Sequence, residues 1–288
     1  MKAAPCHARK PGWGPAVQER PSAPPRGSSR SWFLPRPLAL ALPFVLQGMA
    51  SAQAPPPPLV PLGGYVELMS NYVGRGLAQS VGQPSVGAEL ELGRAEGFYA
   101  DLDATSINWI DQVYPGDSVS VEVDGLLGYR HGFARDWFWK AGLLRLQFPG
   151  RYVQQSPPVA EPHTTEAFVY LGWKRVSGRI NYALTKAFGT PDSQGSWYLD
   201  LNGSQPLGAW TLGAHLGRKQ ARGVNPDSGL PNSRFSYTDF KLSVDRSLRP
   251  GLSLGLAETW TTADPAYYTL NGYAVAGHHL ALVLKQTF

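Results

Sequence analysis

The feature that most constrains this chain is a period of two. Beyond Pro61, apolar and polar residues alternate over stretches of about ten residues, and no segment sustains the 3.6-residue apolar period of an amphipathic helix. Val86, Ala88, Leu90 and Leu92 alternate with Glu89 and Glu91, and Phe98, Ala100, Leu102 and Ala104 with Asp101 and Asp103. The rhythm returns in Val119, Val121 and Val123 around Glu122 and Asp124, and in Leu199 and Leu201 beside Asp200 and Asn202. It is seen again in Phe240, Leu242 and Val244 against Asp239, Lys241 and Asp245. Successive side chains of a β-strand point to opposite faces, so each stretch reads as a strand with one apolar and one polar face.

About twelve such strands fit, near 64–73, 84–93, 97–107, 118–130, 136–147, 165–173, 177–188, 195–205, 209–218, 236–247, 251–262 and 278–288. In the fifth, Leu143, Leu144 and Leu146 flank Arg145 and predict a bulge. Every proline after Pro61 falls in a proposed loop or at a strand end, where a missing N–H breaks no ladder.

A soluble sandwich also alternates, and three features favour a transmembrane, antiparallel, up-and-down β-barrel instead. The strands are longer than the usual five or six residues and match a tilted bilayer crossing. Connections alternate in length: those near 94–96, 131–135, 174–176, 206–208 and 248–250 are short, whereas 219–235 and 263–277 are among the longest. The connection at 189–194 is the least distinct, barely longer than a turn. The chain ends in a largely apolar strand closing on Phe288. Trp137, Trp139, Trp173, Trp197, Trp210 and Trp260 fall near strand ends, as expected of aromatic girdles at the two membrane–water interfaces.

Charge has to be read by segment. The 288-residue chain carries a net +5, which alone would raise nucleic acid as a partner. Residues 1–52, however, hold seven of the 26 basic residues and one of the 21 acidic ones, leaving the remainder at net −1. No nucleic-acid partner is expected. Residues 1–52 have the anatomy of a signal peptide with a long basic extension: Arg30 and Arg36, an apolar run from Leu38 to Leu46, then Ala50-Ser51-Ala52. Cleavage after Ala52, or less favourably after Ala54, would leave a Pro-rich spacer over 53–63 and a barrel over 64–288. Cys6, the only cysteine, lies in that leader, so neither a disulfide scaffold nor a multi-cysteine metal site is expected.

Ser70-Asn71-Tyr72-Val73-Gly74-Arg75-Gly76-Leu77-Ala78-Gln79-Ser80, followed by Pro84 and Gly87, resembles the first hairpin of the TorF family of porins. Tyr72, Arg75, Gly76, Gln79, Ser80 and Pro84 carry the match. Gly97-Phe98-Tyr99, the pair Glu122 and Asp124 ahead of Gly128-Tyr129, Phe148-Pro149-Gly150, and the ending Leu284-Lys285-Gln286-Thr287-Phe288 are similar to further blocks. Val73-Gly74 replaces the aromatic usual before that Arg, and Ala78 replaces the usual Ser. The resemblance implies a porin-type outer-membrane barrel, with no solute established for the family.

The polar phase of the strands supplies the residues expected in the lumen: Glu67, Glu89, Glu91, Asp101, Asp103, Glu122, Asp124, Arg130, Lys140, Arg179, Asp200, Asp239, Lys241 and Asp245, with Asn181, Asn202, His215 and Lys285 beside them. The acidic first strands facing a mixed second half would set a transverse field across a water-filled pore, mildly favouring cations. The function expected is passive diffusion of ions or small hydrophilic solutes across a bacterial outer membrane. The expected partners are outer-membrane lipid and, through the strand ending in Phe288, the barrel-assembly machinery. No cofactor and no metal is expected. A non-conducting barrel acting through loops near 151–164, 219–234 and 263–277 is the alternative. A lipid-modifying enzyme is less favoured, because no spacing ties His131, His278 or His279 to Ser253.

Overall fold

The computed structural model describes residues 60–113, 116–153 and 160–288. In chain order its elements are β1 (Val60–Met69), a small hairpin of β2 (Val73–Gly74) and β3 (Leu77–Ala78), then β4 (Ser85–Gly93) and β5 (Gly97–Ser106). The short helix α1 (Trp109–Val113) precedes β6 (Val121–Ala134), β7 (Trp137–Gln147), β8 (Thr164–Trp173), β9 (Val176–Ala183), β10 (Trp197–Leu207), β11 (Trp210–Gln220), β12 (Tyr237–Arg249) and β13 (Leu252–Thr261). A second small hairpin, β14 (Thr269–Leu270) and β15 (Tyr273–Ala274), leads to β16 (His278–Thr287). The twelve long strands form one closed barrel, each antiparallel to its neighbours. The pairing of β1 with β16, from Tyr65↔Thr287 to Met69↔Val283, closes it. Closure leaves no open sheet edge, which is what a sheet must achieve to stand in lipid.

Short turns sit at one end, and six long connections gather at the other. Their apolar residues form a single buried cluster: Leu77, Trp109, Ile110, Phe148, Phe188, Phe235, Tyr268 and Leu270 come from all six. The outer face is the reverse of a water-soluble surface. Leu127 is 68% exposed and Leu242 57%, while Leu126 and Asp239, on the opposite phase of the same strands, are buried. Trp137 and Trp173 stack at 5.7 Å beside the short turns, whereas Trp197 and Trp260 stand near the loop end.

Three departures from the sequence pattern have physical causes. β1 runs from Val60 to Met69, so the last residues of the expected spacer already pair with β4; the expected leader lies outside the described residues. The strand stops early because Asn71 and Ser80 turn the chain inward: Ser80 Oγ accepts the Tyr72 N–H at 2.9 Å and donates to Asn71 Oδ1 at 3.0 Å. β9 likewise ends at Ala183, since the Phe188 N–H is taken by Thr164 Oγ1 at 2.7 Å, and the connection to β10 is long. The bulge expected near Arg145 is absent. β7 pairs with β6 in unbroken register from Gln147 to Phe138 because Leu144 and Leu146 point inward into the apolar cluster, while Arg145 points outward to Thr165. Register shifts occur instead at Pro61/Gly63, Gly132/Ala134 and Ser247/Arg249, all at the short-turn end.

Candidate functional site

Strand register fixes what faces the lumen. Glu67, Glu89, Glu91, Asp101, Asp103, Glu122, Asp124, Arg130, Lys140, Arg179, Asp200, Asp239, Lys241 and Asp245 all lie on the inward phase of their strands, alternating with more exposed apolar neighbours. They divide into separate networks. Near the short turns Arg130 pairs with Glu91 at 2.8 Å, and the Tyr99 ring lies 4.6 Å from Arg130 and 5.2 Å from Lys140. Lys285 bonds Glu67 and sits 3.6 Å from the centre of the Tyr65 ring. His215 is held between Asp200 and Asp239, each at 2.9 Å, and the Tyr198 hydroxyl donates to Asp239. This crowding requires Gly217, where a Cβ would fall 2.0 Å from the Tyr198 hydroxyl.

The connection between β1 and β4, residues 70–84, is the element that shapes the lumen. Its tip is the two-residue turn Arg75-Gly76 between β2 and β3, with φ of 43° and 76°. Positive φ at both central positions is the signature of a tight hairpin turn. The hairpin folds into the barrel and crosses it. Arg75 Nη1 and Nη2 donate to Glu166 Oε1 and Oε2 at 3.0 and 2.7 Å, and β8 stands across the barrel from β1 in the strand order. Asn181 of β9 donates to the same carboxylate at 2.6 Å, and the Arg75 guanidinium lies 4.7 Å from the Tyr198 ring. Gly76 rests on β12, where a Cβ would come 2.4 Å from that of Asp239. Burial opposes the Arg75 charge, but Glu166 outweighs it and holds the guanidinium protonated, above its ordinary range.

The other residues of the resemblance serve the same loop. The Gln79 carbonyl accepts the N–H groups of Asn108 and Trp109 at 3.0 and 3.2 Å, tying this loop to the next. Ser80 fixes its turn, and Pro84 stands just ahead of β4. Tyr72, at its base, lies close enough to feel the charges of Glu122, Asp103 and Asp124. Burial first, and those carboxylates second, push its hydroxyl up, so it stays neutral. Sequence pattern alone misses Glu166 and Lys219. Glu166 shares the inward phase with Phe168 and Tyr170, an aromatic set that hides its polarity, and that shared phase was the available signal. Lys219 points inward near the end of β11, beside the Phe188 and Tyr237 rings.

The histidine–serine combinations are not brought together. Ser253 pairs with Lys285 near the short turns, whereas His279 pairs with Thr259, six positions further along β13. His131 stands beside Glu96 at the short-turn end.

These features define a class: an antiparallel twelve-stranded barrel, apolar outside, charged inside and crossed by its first loop. The chain belongs to the family described as "Bacterial protein of unknown function (Gcw_chp)", whose model matches residues 53–288. No curated protein matches the sequence. Among solved structures, the NanC porin is similar at 12% identity and a TM-score of 0.48, over 77% of this chain and 98% of that one. The COG4313 outer membrane channel from Pseudomonas putida F1 is similar at 13% identity and a TM-score of 0.40, over 84% and 99%. Outer membrane phospholipase A from Escherichia coli is similar at 13% identity and a TM-score of 0.43, over 82% and 94%.

Proposed function

We propose that this protein is a porin-like channel of the bacterial outer membrane, of the kind the TorF resemblance implies, through which ions or small hydrophilic solutes diffuse passively. The observation that carries this reading is the inversion of polarity across the wall. Inward positions hold acids and bases on nearly every strand, whereas outward positions hold exposed Leu, Val and Phe. Such an arrangement suits a barrel with lipid outside and a hydrophilic route inside. Export by the leader over 1–52 and assembly through the strand ending in Phe288 complete the reading. The reading is non-enzymatic and without cofactor, and the separation of Ser253 from His278 and His279 along β13 is in keeping with it.

The loop over 70–84 sets the width of the route. Liposome swelling with purified protein tests the reading: small sugars are expected to enter slowly with the native chain and faster with Arg75→Ala. Impermeability of both to sugars and salts would overturn it. One observation favours a second reading, a non-conducting barrel acting through its loops: all six long connections pack into one buried cluster over the mouth.

A further inference from the structure

We propose that the patch formed by Asp103, Glu122 and Asp124 on the inner wall is a binding site for the protonated amino group of a small cationic solute. The inference deepens the channel reading by naming the class of solute its wall would hold. Strand register assembles the site: Asp103 of β5 stands directly opposite Asp124 of β6, and Glu122 lies two residues along on the same face, opposite Thr105. Like charges placed directly opposite one another in a sheet repel. Asp103 is provided for, since it accepts from the Tyr65 hydroxyl at 3.3 Å and from Thr105 at 3.1 Å. Glu122 and Asp124 are not. They are 1% and 3% exposed, and none of their four carboxylate oxygens has a hydrogen-bond partner among the described residues.

Three cations of the lumen are committed to other acids. Arg75 is bonded to Glu166, Arg130 to Glu91, and Lys285 to Glu67. Arg75 and Arg179 reach Asp124 through space, without a hydrogen bond. A buried carboxylate with neither a partner nor hydrogen bonds is strongly unfavourable as an anion; a proton relieves it in the empty patch, and a cationic solute can take that proton's place. An ammonium group fits better than a bare metal. An ammonium has three donors that can serve separate acceptors, and this lumen already holds one that way, Lys285 between Glu67 and the Tyr65 ring. Tyr72, in loop 70–84, lies near enough to feel all three carboxylates, so movement of that loop changes the surroundings of the patch.

Binding of putrescine to the purified full-length protein in detergent, followed by calorimetry, tests this. The native protein is expected to bind the diamine saturably and to ignore sucrose. Glu122→Gln with Asp124→Asn should weaken binding by about tenfold or more. Heat-dependent gel migration reports whether the double variant is folded; if it is not, Asp124→Asn alone serves, with a smaller loss expected. Absence of saturable binding by the native protein, equal binding by a folded variant, or saturation by magnesium chloride that putrescine cannot displace would each overturn the site. Planar-bilayer currents separate the two claims. Conductance without putrescine binding removes the site and leaves the channel, whereas binding without conductance removes the channel and leaves the site.

Discussion

Arg75 belongs to a loop, yet its side chain is 4% exposed and joined by two hydrogen bonds to Glu166 on the opposite wall. Removing one partner of a buried ion pair costs about 3–5 kcal/mol when the other stays buried. Here the other need not stay buried, because release of the hairpin lets water reach Glu166. Arg75→Ala should therefore lower barrel stability by less than that range while raising single-channel conductance and protease sensitivity within residues 70–84. Arg75→Ala with Glu166→Gln should regain stability but keep the wider route. Gly76→Ala should act in the same direction without touching a charge. Its Cβ would have to occupy space held by Asp239, at a φ of 76° that disfavours any L side chain. Unchanged conductance in both Arg75→Ala and Gly76→Ala would show that the hairpin does not limit the passage.

At the scale of the element, the wall's stability depends on depth in the bilayer. Leu242 lies mid-strand in β12 and faces outward, whereas Trp210 opens β11 beside a short turn. Arginine at the first should cost about 2–4 kcal/mol and at the second about 0–1, read from urea titrations of folding into vesicles. Equal costs would mean the two are not at different depths. The same alternation that fixes these faces made the twelve strands legible in the sequence, since a period of two leaves only the choice of which face is wet. Strand ends were less legible. β1 and β9 stop where side chains such as Ser80 and Thr164 capture backbone N–H groups, and that competition leaves no periodic trace. The run at Leu143, Leu144 and Leu146 misled for a related reason. Near the loop end of β7 the inward face is apolar, because it meets the packed loops, so polarity does not mark the lumen there. The crossing of Arg75 to Glu166 was beyond reach, being a contact 91 residues apart between a loop and a strand with no shared pattern.

For the molecule as a whole, the arrangement of charge predicts ion selectivity. Asp200 and Asp239 share the single His215, whereas Glu67, Glu91 and Glu166 are matched one to one within the wall by Lys285, Arg130 and Arg75. These pairs contribute little net field to the route. Glu122 and Asp124 have no bonded match, only Arg75 and Arg179 acting on Asp124 through space, so with Asp103 the β5–β6 side keeps an excess of acids over bases. A negative field in a narrow, low-dielectric passage raises the local concentration of cations and lowers that of anions. In planar bilayers with a potassium chloride gradient, the reversal potential should therefore take the sign of potassium preference. Glu122→Gln with Asp124→Asn should move it toward zero, whereas neutralising a matched acid such as Glu91 should move it less than removing the unmatched pair. Screening supplies an internal control, since the Debye length falls from about 10 Å at 0.1 M salt to about 3 Å at 1 M. Preference set by the lumen's field should shrink across that range, whereas preference set by close contact with one carboxylate should persist. Chloride-directed reversal potentials at low salt would reject the whole-lumen argument even if the channel conducts.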